Sequence, residues 1–385
     1  MYKRIFLIVL DSVGINHASD SEKFGDKGVN TLLHTIEKTG ISLPNLGKMG
    51  LLNLVYDKEE ESIAYYTRGE EVSNGKDTLT GHLEMMGIET KVPFKTFTDT
   101  GFPKELIDEL EERSGHKVIG NRNASGTQII EELGDHHVKT GDIIVYTSAD
   151  SVLQIAAHEE IVPLDELYKI CEMAREITLK DEWKVGRIIA RPFLGENGKY
   201  TRTSNRHDYA LSPSGKTVLD NLKEANFDVI SIGKISDIFN NCGITESIKT
   251  KNNLDGINKI IETLDKDFHG LCFANLNDFD SMYGHRRDPI GYGKALVEFD
   301  EHLETIQNKL RDDDLLIITA DHGNDPTYIG TDHTRENIPV LIYNKNFKEP
   351  KRLTNLKTFA SIGATIAENF SVSTPMGESV LKELK

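Results

Sequence analysis

Cysteine is scarce in this sequence, and no apolar run in it is long. The three cysteines, Cys171, Cys242 and Cys272, lie far apart and lack the close spacing of a metal site. An odd and sparse set of this kind predicts reduced thiols and a cytoplasmic location. The apolar run from Ile5 to Leu10 is too short for the core of a signal peptide or for a membrane span, so we interpret it as a β-strand.

Basic residues are also in deficit, with 45 lysines and arginines against 62 aspartates and glutamates among 385 residues. The net charge of −17 argues against nucleic acid or an anionic membrane surface as a partner. The sequence indicates no obligate protein partner. If the substrate is an anion, the site must collect metal ions, lysines and arginines against this acidic background. The length allows a large core and favours two domains.

Each of three predicted buried strands is followed by side chains that bind metals. The strands cover 4–10, 271–276 and 315–320, and the residues that follow them are Asp11, Asp280, His285, Asp321 and His322. Ligands of an open α/β sheet bind just beyond the carboxyl ends of its strands. Together with His333 these side chains therefore predict a metal site. For any one of them, a polar strand end covered by a loop is the alternative.

The composition of this ligand set indicates two ions rather than one. Asp321 and His322 are adjacent, so in extended backbone their side chains should point apart, and one ion could not easily use both. Three carboxylates and three imidazoles suit Mn²⁺, Zn²⁺ or Fe²⁺ better than Ca²⁺ or Mg²⁺. Paired ions roughly 4 Å apart clamp the attacking and leaving oxygens in phosphoryl transfer.

Residues 73–87 predict a polar turn and then a short helix, with Asp77 or Thr78 at its N-cap. A helix N-terminus offers free N–H groups and the positive end of a dipole, which suit a phosphoryl group. An ordinary N-cap without function is the alternative for this segment taken alone.

Strands and helices alternate along the chain on both sides of a block with a different texture. The block 98–212 mixes helices with short strands and carries most of the polar clusters outside the ligand set. We therefore interpret it as a smaller α/β domain inserted into a core domain of residues 1–97 and 213–385. The predicted fold class is α/β.

The set of Asp11, the Asp77-Thr78 turn and the ligand residues resembles the alkaline phosphatase superfamily of two-metal phosphotransferases. Within that superfamily, several stretches are similar to the phosphopentomutase family. They are 75–82, 146–160, 205–210, 233–238, 284–288 and 319–326. The resemblance runs from Lys3 to beyond Phe370. It implies an alkaline-phosphatase-like core sheet with helices on both faces, and a cap formed by the inserted domain.

The resemblance also implies roles for individual residues. Thr78 corresponds to the residue that is phosphorylated in the family. Two Mn²⁺ ions are implied, one held by Asp11, Asp321 and His322 and the other by Asp280, His285 and His333. The residues implied in binding the sugar phosphate are Asp150, Arg191, Arg206 and His207 in the insertion and Lys234 in the core.

The implied reaction interconverts (deoxy)ribose 1-phosphate and 5-phosphate through a phosphothreonine and a pentose bisphosphate, with a sugar bisphosphate as the priming activator. This reaction links nucleoside breakdown to pentose metabolism. The alternatives are a cofactor-independent phosphoglycerate mutase, which would normally carry serine as the nucleophile and a longer insertion, and a metal-dependent phosphohydrolase. A metal-binding protein without catalysis is a further alternative, although it leaves an intact nucleophile turn unexplained.

Overall fold

The computed structural model describes residues 1–148 and 150–385. The described residues divide into two compact units, one formed by Met1–Lys91 with Pro213–Lys385 and the other by Val92–Ser212. We call them the core unit and the inserted unit. Ala149, which belongs to the polar cluster at 148–151 of the insertion, lies outside the described residues.

The inserted unit begins earlier than the predicted start at residue 98. Contacts of the preceding residues explain the difference, because the Lys95 N–H donates to the Lys184 carbonyl at 2.8 Å. The ring of Phe97 also lies 5.0 Å from the ring of Phe102, so this segment packs with the inserted unit.

Both units alternate strands with helices, and the predicted α/β class is confirmed. The strands are β1 Arg4–Leu10, β2 Ile15–His17, β3 Tyr65–Gly69, β4 Val118–Asn123, β5 Ile143–Thr147, β6 Val152–His158, β7 Arg187–Glu196, β8 Lys199–Arg202, β9 His207–Ala210, β10 Asp228–Ile232, β11 Glu246–Ile248, β12 Gly270–Leu276, β13 Asp314–Thr319 and β14 Glu336–Tyr343. The α-helices are α1 Thr31–Thr39, α2 Pro44–Lys48, α3 Leu51–Tyr56, α4 Thr78–Met85, α5 Lys104–Ser114, α6 Gly126–Thr140, α7 Leu164–Ile177, α8 Val218–Glu224, α9 Ile235–Ile238, α10 Asn253–Leu264, α11 Pro289–Lys309 and α12 Ala360–Phe370. Short 3₁₀ turns cover Ser21–Phe24, Asp181–Trp183 and Leu381–Glu383, and a π-helical turn covers Phe279–Gly284. Across residues 1–148 and 150–385, no helix combines the length and the apolar character that a membrane span requires.

The core unit is built on an eight-stranded sheet in the order β11-β10-β12-β1-β13-β14-β2, with β3 also paired to β14. β1 runs parallel to both of its neighbours, so that Leu10 lies opposite Leu276 and Val9 opposite Thr319. Every residue of β1, β12 and β13 is buried, as expected for central strands of a sheet covered on both faces. Because parallel strands end on the same side, the segments that follow these three strands leave from one edge.

The inserted unit has its own sheet, in the order β4-β5-β6-β7-β8 with β9 paired to β7. Side chains of β5 alternate between two apolar clusters, as strand geometry requires. Ile143 and Val145 pack with residues of α5 and α7, whereas Ile144 and Tyr146 pack with residues of α6. Helices therefore cover both faces of this sheet, and the unit has a core of its own.

Candidate metal centre

Three carboxylates gather where β1, β12 and β13 end. Asp11 follows β1 directly, Asp321 lies two residues beyond the end of β13, and Asp280 lies in the π-helical turn after β12. The three strands are neighbours in the core sheet, so the segments that leave them start side by side. All three carboxylates are buried. The structure thus brings together the predicted acidic ligands.

Asp11, Asp321 and His322 form the first group of candidate metal ligands, with ligand atoms within 4.8 Å of one another. The protein anchors one oxygen of each carboxylate. Asn275 Nδ2 donates to Asp11 Oδ2 at 2.8 Å, and the Ser12 N–H donates to Asp321 Oδ1 at 2.9 Å. The other oxygens, Asp11 Oδ1 and Asp321 Oδ2, are buried and accept no hydrogen bond from the described residues. These two oxygens are therefore the ones available to a cation.

His322 directs its Nε2 atom to the same place. Its Nδ1 lies 2.9 Å from the Gly323 carbonyl oxygen, which indicates that Nδ1 carries a proton and leaves Nε2 to face the two carboxylates. Nε2 lies 3.4 Å from both Asp11 Oδ1 and Asp321 Oδ2. Burial alone would lower the pKa of His322, but the Asp321 and Asp11 carboxylates raise it well above its usual value. The ligand group of Asp11, Asp321 and His322 therefore requires a positive charge, which either a proton or a metal ion can supply.

Asp280, His322 and His333 form a second group with ligand atoms within 4.8 Å. Asn324 Nδ2 donates to Asp280 Oδ1 at 2.7 Å, and His285 Nε2 lies 3.1 Å from Asp280 Oδ2. His333 Nε2 is buried, lies 3.4 Å from Asp280 Oδ1 and has no hydrogen-bond partner among the described residues. Because His322 belongs to both groups, the two groups adjoin.

The surroundings of Asp280 and Asp11 shift the pKa values of these two carboxyl groups in opposite directions. Burial would raise the pKa of Asp280, but His333 and His285 lower it well below its usual value. Burial and the neighbouring Asp321 carboxylate raise the pKa of Asp11 instead. The surroundings of Asp280 thus favour its ionised carboxylate, whereas a second carboxylate next to Asp11 disfavours its ionised form.

The residues present fit a centre for two divalent ions. Carboxylate oxygens and imidazole nitrogens are the mixed donor set that suits ions such as Mn²⁺, Zn²⁺ and Fe²⁺. Three of the ligand atoms, on Asp11, Asp321 and His333, are buried without a hydrogen-bond partner among the described residues. Buried polar atoms usually have a partner, and a bound metal ion would supply one for each of these three.

Thr78 lies beside the first group. It is the first residue of α4, and the preceding Asp77 is the N-cap, whose side chain accepts from the Thr80 N–H at 3.1 Å. Thr78 Oγ1 lies 3.0 Å from His322 Nε2. The hydroxyl therefore has the N-terminus of a helix on one side and a candidate metal ligand on the other.

Lys234, predicted to bind substrate, is the core-unit residue immediately before α9. Its ammonium group donates to Asn277 Oδ1. Asn277 directly follows β12, in the segment that leads to Asp280. Lys234 thus contacts the segment that carries Asp280 of the second ligand group.

Asp150 and His207, also predicted to bind substrate, lie in the inserted unit. Asp150 Oδ2 lies 3.5 Å from a guanidinium nitrogen of Arg187, which places the acid against a basic neighbour. The His207 ring lies 4.6 Å from the ring of Tyr209 in an edge-to-face arrangement. Each of these side chains thus has at least one contact within its own unit.

Arg191 and Arg206, the two predicted arginines, lie in the same unit near Tyr146. Arg191 Nε donates to Gln154 Oε1 at 3.0 Å, and Arg206 forms a bidentate pair with Asp208, with both distances 2.6 Å. Burial raises the pKa of Tyr146, and the positive charge of both arginines partly opposes that shift. Both guanidinium groups thus lie close enough to Tyr146 to act on its hydroxyl, and Asp208 balances the charge of Arg206.

Some residues that support the ligands were not predicted as site residues, namely Ser12, His82, Asn275 and Asn324. Two of them leave a signal in the sequence. Asn275 is a polar residue next to the end of an otherwise apolar strand, and His82 lies four residues after Thr78, on the same face of the helix.

The expectation that the Asp321 and His322 side chains point apart is wrong. It assumed extended backbone, but β13 ends at Thr319 and the chain bends at residues 321 and 322. The bend brings both side chains into the first ligand group, so one ion can use both.

Comparison with known proteins places this chain in a family. The model of a family described as the Metalloenzyme superfamily matches residues 3–374. The PH0037 protein from Pyrococcus horikoshii is similar in structure, with 13% identity, coverage of 98% of this chain and 100% of that chain, and a TM-score of 0.51. A phosphoglycerate mutase from Leishmania mexicana, with a crystal structure at low cobalt concentration, is 12% identical, with coverage of 97% of this chain and 96% of that chain and a TM-score of 0.52. At these identities the likeness is one of fold.

Proposed function

Since this chain belongs to the Metalloenzyme superfamily, we propose that it is a phosphopentomutase, which interconverts (deoxy)ribose 1-phosphate and 5-phosphate. The observation that carries the proposal is the 3.0 Å contact between Thr78 Oγ1 and His322 Nε2, beside the unpartnered carboxylate oxygens of Asp11 and Asp321. A hydroxyl at a helix start and next to metal ligands is placed to accept a phosphoryl group. The pentose specificity is supported by the stretches that resemble phosphopentomutases.

The proposal includes two divalent ions, with Mn²⁺ expected from the resemblance. Asp11, Asp321 and His322 would hold the ion nearer Thr78, and Asp280, His285 and His333 would hold the other. When bound, the ions neutralise charge on the transferring oxygens and lower the effective pKa of a coordinated hydroxyl.

Thr78 carries the phosphoryl group in this mechanism. Phospho-Thr78, formed by priming with a sugar bisphosphate, transfers its phosphoryl group to the free hydroxyl of a pentose monophosphate. The bond from phosphorus to Oγ1 breaks, a bond to the sugar oxygen forms, and the hydroxyl proton leaves to solvent. The resulting bisphosphate then presents its other phosphate to Oγ1. A new bond from that phosphorus to Oγ1 forms, the old phosphorus–sugar bond breaks, and the product oxygen takes up a proton, so that phospho-Thr78 is restored. The N–H groups at the start of α4 stabilise charge on the transferred group.

The inserted unit supplies substrate selectivity in this proposal. Arg191 and Arg206 would bind a phosphate, which would replace Asp208 as the bidentate partner of Arg206. Asp150 and His207 would bind sugar hydroxyls. Water is the competing acceptor for the phosphoryl group. A cap that excludes water favours transfer to sugar over hydrolysis.

A phosphoglycerate mutase is the second candidate, because the Leishmania mexicana protein of that name shares the fold over 97% of this chain. Product analysis separates the candidates. The Mn²⁺-loaded protein, primed with a sugar bisphosphate, is incubated with ribose 1-phosphate or with 3-phosphoglycerate and followed by ³¹P NMR. We expect ribose 5-phosphate from the first substrate and no change in the second. Isomerised phosphoglycerate would favour the second candidate, and free phosphate alone would indicate a phosphohydrolase.

Thr78→Ala tests the covalent step. We expect this variant to fold, to bind metal and to lose mutase activity, because it has no hydroxyl to phosphorylate. Intact-mass measurement after incubation with a sugar bisphosphate should show a phosphoryl adduct on the wild type and none on the variant. Thr354→Ala, an exposed threonine of the core unit, is the matched control and should keep both adduct and turnover. Turnover by Thr78→Ala would contradict the mechanism.

A further inference from the structure

We infer that His82 is a positioning residue that links the Thr78 turn to the metal ligand Asp321, an inference that rests on the proposed function. His82 lies in α4 and is fully buried. Its Nδ1 lies 2.8 Å from the Thr78 carbonyl oxygen and 3.2 Å from Asp321 Oδ2. Because both of these atoms are acceptors, Nδ1 carries the proton of the ring. One N–H group thus faces the backbone of the nucleophile and the unanchored oxygen of a metal ligand.

The other nitrogen of His82 extends the link to Asp11. Its Nε2 lies 3.4 Å from Asn275 Nδ2, and the same amide nitrogen donates to Asp11 Oδ2 at 2.8 Å. An amide nitrogen has two hydrogens, so Asn275 can donate to both acceptors. His82 and Asn275 together therefore connect both carboxylates of the first ligand group to the helix that carries Thr78.

The His82 ring is held by stacking on a neighbouring strand and by the close approach of its helix to the strand end. The ring stacks on Phe273 of β12, with centroids 5.8 Å apart and planes inclined by 30°. The preceding Gly81 allows the helix to approach the strand end, because a Cβ atom there would lie 2.0 Å from the Asp321 carbonyl oxygen. This close approach brings the His82 N–H within reach of Asp321 Oδ2.

A mobile Asp321 carboxylate would hold an ion less well, and a mobile Thr78 turn would accept a phosphoryl group less well. Loss of the His82 N–H should therefore weaken one ion of the pair and slow phosphorylation of Thr78, while the ion at Asp280 and His333 is retained. Changes to residues that orient metal ligands typically weaken metal binding by about 10- to 100-fold. A residue that only fills core volume would show no such selectivity.

The test compares three side chains at position 82. Asparagine places an N–H close to the site of Nδ1, whereas glutamine places its amide further out, and leucine has none. Mn²⁺ binding is titrated by electron paramagnetic resonance of the free ion, and the phosphoryl adduct on Thr78 is followed by intact mass. We expect His82→Asn to bind both ions within a few-fold of wild type. His82→Gln and His82→Leu should bind one ion about 10- to 100-fold more weakly and acquire the adduct more slowly.

His302→Gln is the matched control. His302 lies in α11, and its Nδ1 lies 2.7 Å from the carbonyl oxygen of Glu298, four residues earlier, the same arrangement as that of His82 Nδ1 with the Thr78 carbonyl oxygen. His302 belongs to none of the groups of candidate metal ligands found among the described residues. This variant should bind both ions like wild type. If changes at position 82 prevent folding, Asn275→Ser tests the other end of the link and should weaken the same ion.

The outcomes separate this inference from the proposed function. Wild-type protein that binds two ions, together with His82→Gln or Asn275→Ser protein that binds both equally well, would overturn the role of His82 alone. Equal weakening of both ions in a folded variant would also overturn it. Wild-type protein that binds one ion or none would overturn the metal centre, and the inference with it.

Discussion

At the scale of single residues, hydrogen bonds from the protein to one atom of a ligand side chain determine which other atom can bind a metal ion. Asp11 and Asp321 each use one oxygen to accept from a protein donor, and the other accepts no hydrogen bond from the residues that the structure describes. His285 follows the same rule, since its Nδ1 lies 2.7 Å from the Thr331 carbonyl oxygen and its Nε2 faces Asp280. Anchoring one atom fixes the direction of the other, which is how side chains are prepared for a metal before it binds.

His333→Ala should remove one ion selectively. The buried His333 Nε2 has no hydrogen-bond partner among the described residues and lies 3.4 Å from Asp280 Oδ1. We therefore expect wild-type protein to retain close to two equivalents of Mn²⁺ after gentle dialysis and the variant to retain close to one, as measured by elemental analysis. The affinity loss should exceed the about 10- to 100-fold effect typical of a residue outside the ligand set. Retention of two ions by the variant would remove His333 from the centre.

At the scale of elements, the site depends on how closely α4 approaches the end of β13. The helix starts after the Asp77 cap. At Gly81 its backbone lies against the backbone of Asp321, with no room for a Cβ atom between them. Any side chain at position 81 would separate the nucleophile turn from the Asp321 segment. The glycine is therefore required by packing and not by backbone conformation.

Gly81→Ala should displace α4 and lower both stability and phosphoryl transfer. The added Cβ would lie 2.0 Å from the Asp321 carbonyl oxygen, and overpacking of this kind costs about 1–3 kcal/mol. Thermal unfolding and the rate of adduct formation on Thr78 measure the two effects. Gly47→Ala is the control, because the nearest atom to its added Cβ is the end of the Leu52 side chain at 3.2 Å. A Gly81→Ala protein that melts and reacts like wild type would contradict this account of the packing.

At the scale of the whole molecule, the two units have separate sheets and separate apolar cores. Unfolding of such a chain need not be a single transition. The inserted unit contains a buried imidazole of its own, on His137. His137 Nδ1 lies 2.7 Å from the Asp142 carbonyl oxygen, and the His158 N–H donates to His137 Nε2 at 2.8 Å. Each nitrogen of the neutral His137 ring thus has a hydrogen-bond partner.

The inserted unit should lose stability as the pH falls below about 6.5, the ordinary histidine value. Burial lowers the pKa of folded His137, so the unfolded chain takes up its proton first. Stability is then full above the unfolded pKa and declines as the pH falls towards the folded pKa. Hydrogen exchange at pH 7.5 and 5.5 should show faster opening of β5 and β6 at the lower pH. His137→Gln should reduce this pH dependence and the exposed His17→Gln should keep it; an unchanged dependence in His137→Gln would assign it to another group.

Local pattern was enough to predict the strands that carry the ligands, because continuous apolar runs such as 315–320 are buried wherever they lie in a sheet. It was not enough for β6, where Gln154 and His158 interrupt the apolar pattern. Both are satisfied by tertiary partners, since Arg191 Nε donates to Gln154 at 3.0 Å and His158 Nε2 lies 3.0 Å from the Gly195 carbonyl oxygen. A polar residue can be buried at little cost when a distant segment supplies its partner.

The sequence by itself determined the chemistry of the site, since the number of carboxylates, imidazoles and hydroxyls near strand ends and helix starts can be counted from residue types and spacing. Only the tertiary structure decided which atoms meet. The contact of Thr78 with His322 and the link from His82 through Asn275 to Asp11 join segments that are remote in the chain. Such contacts depend on the order of strands in the sheet and on the approach of α4 at Gly81, and short-range pattern carries no information on either.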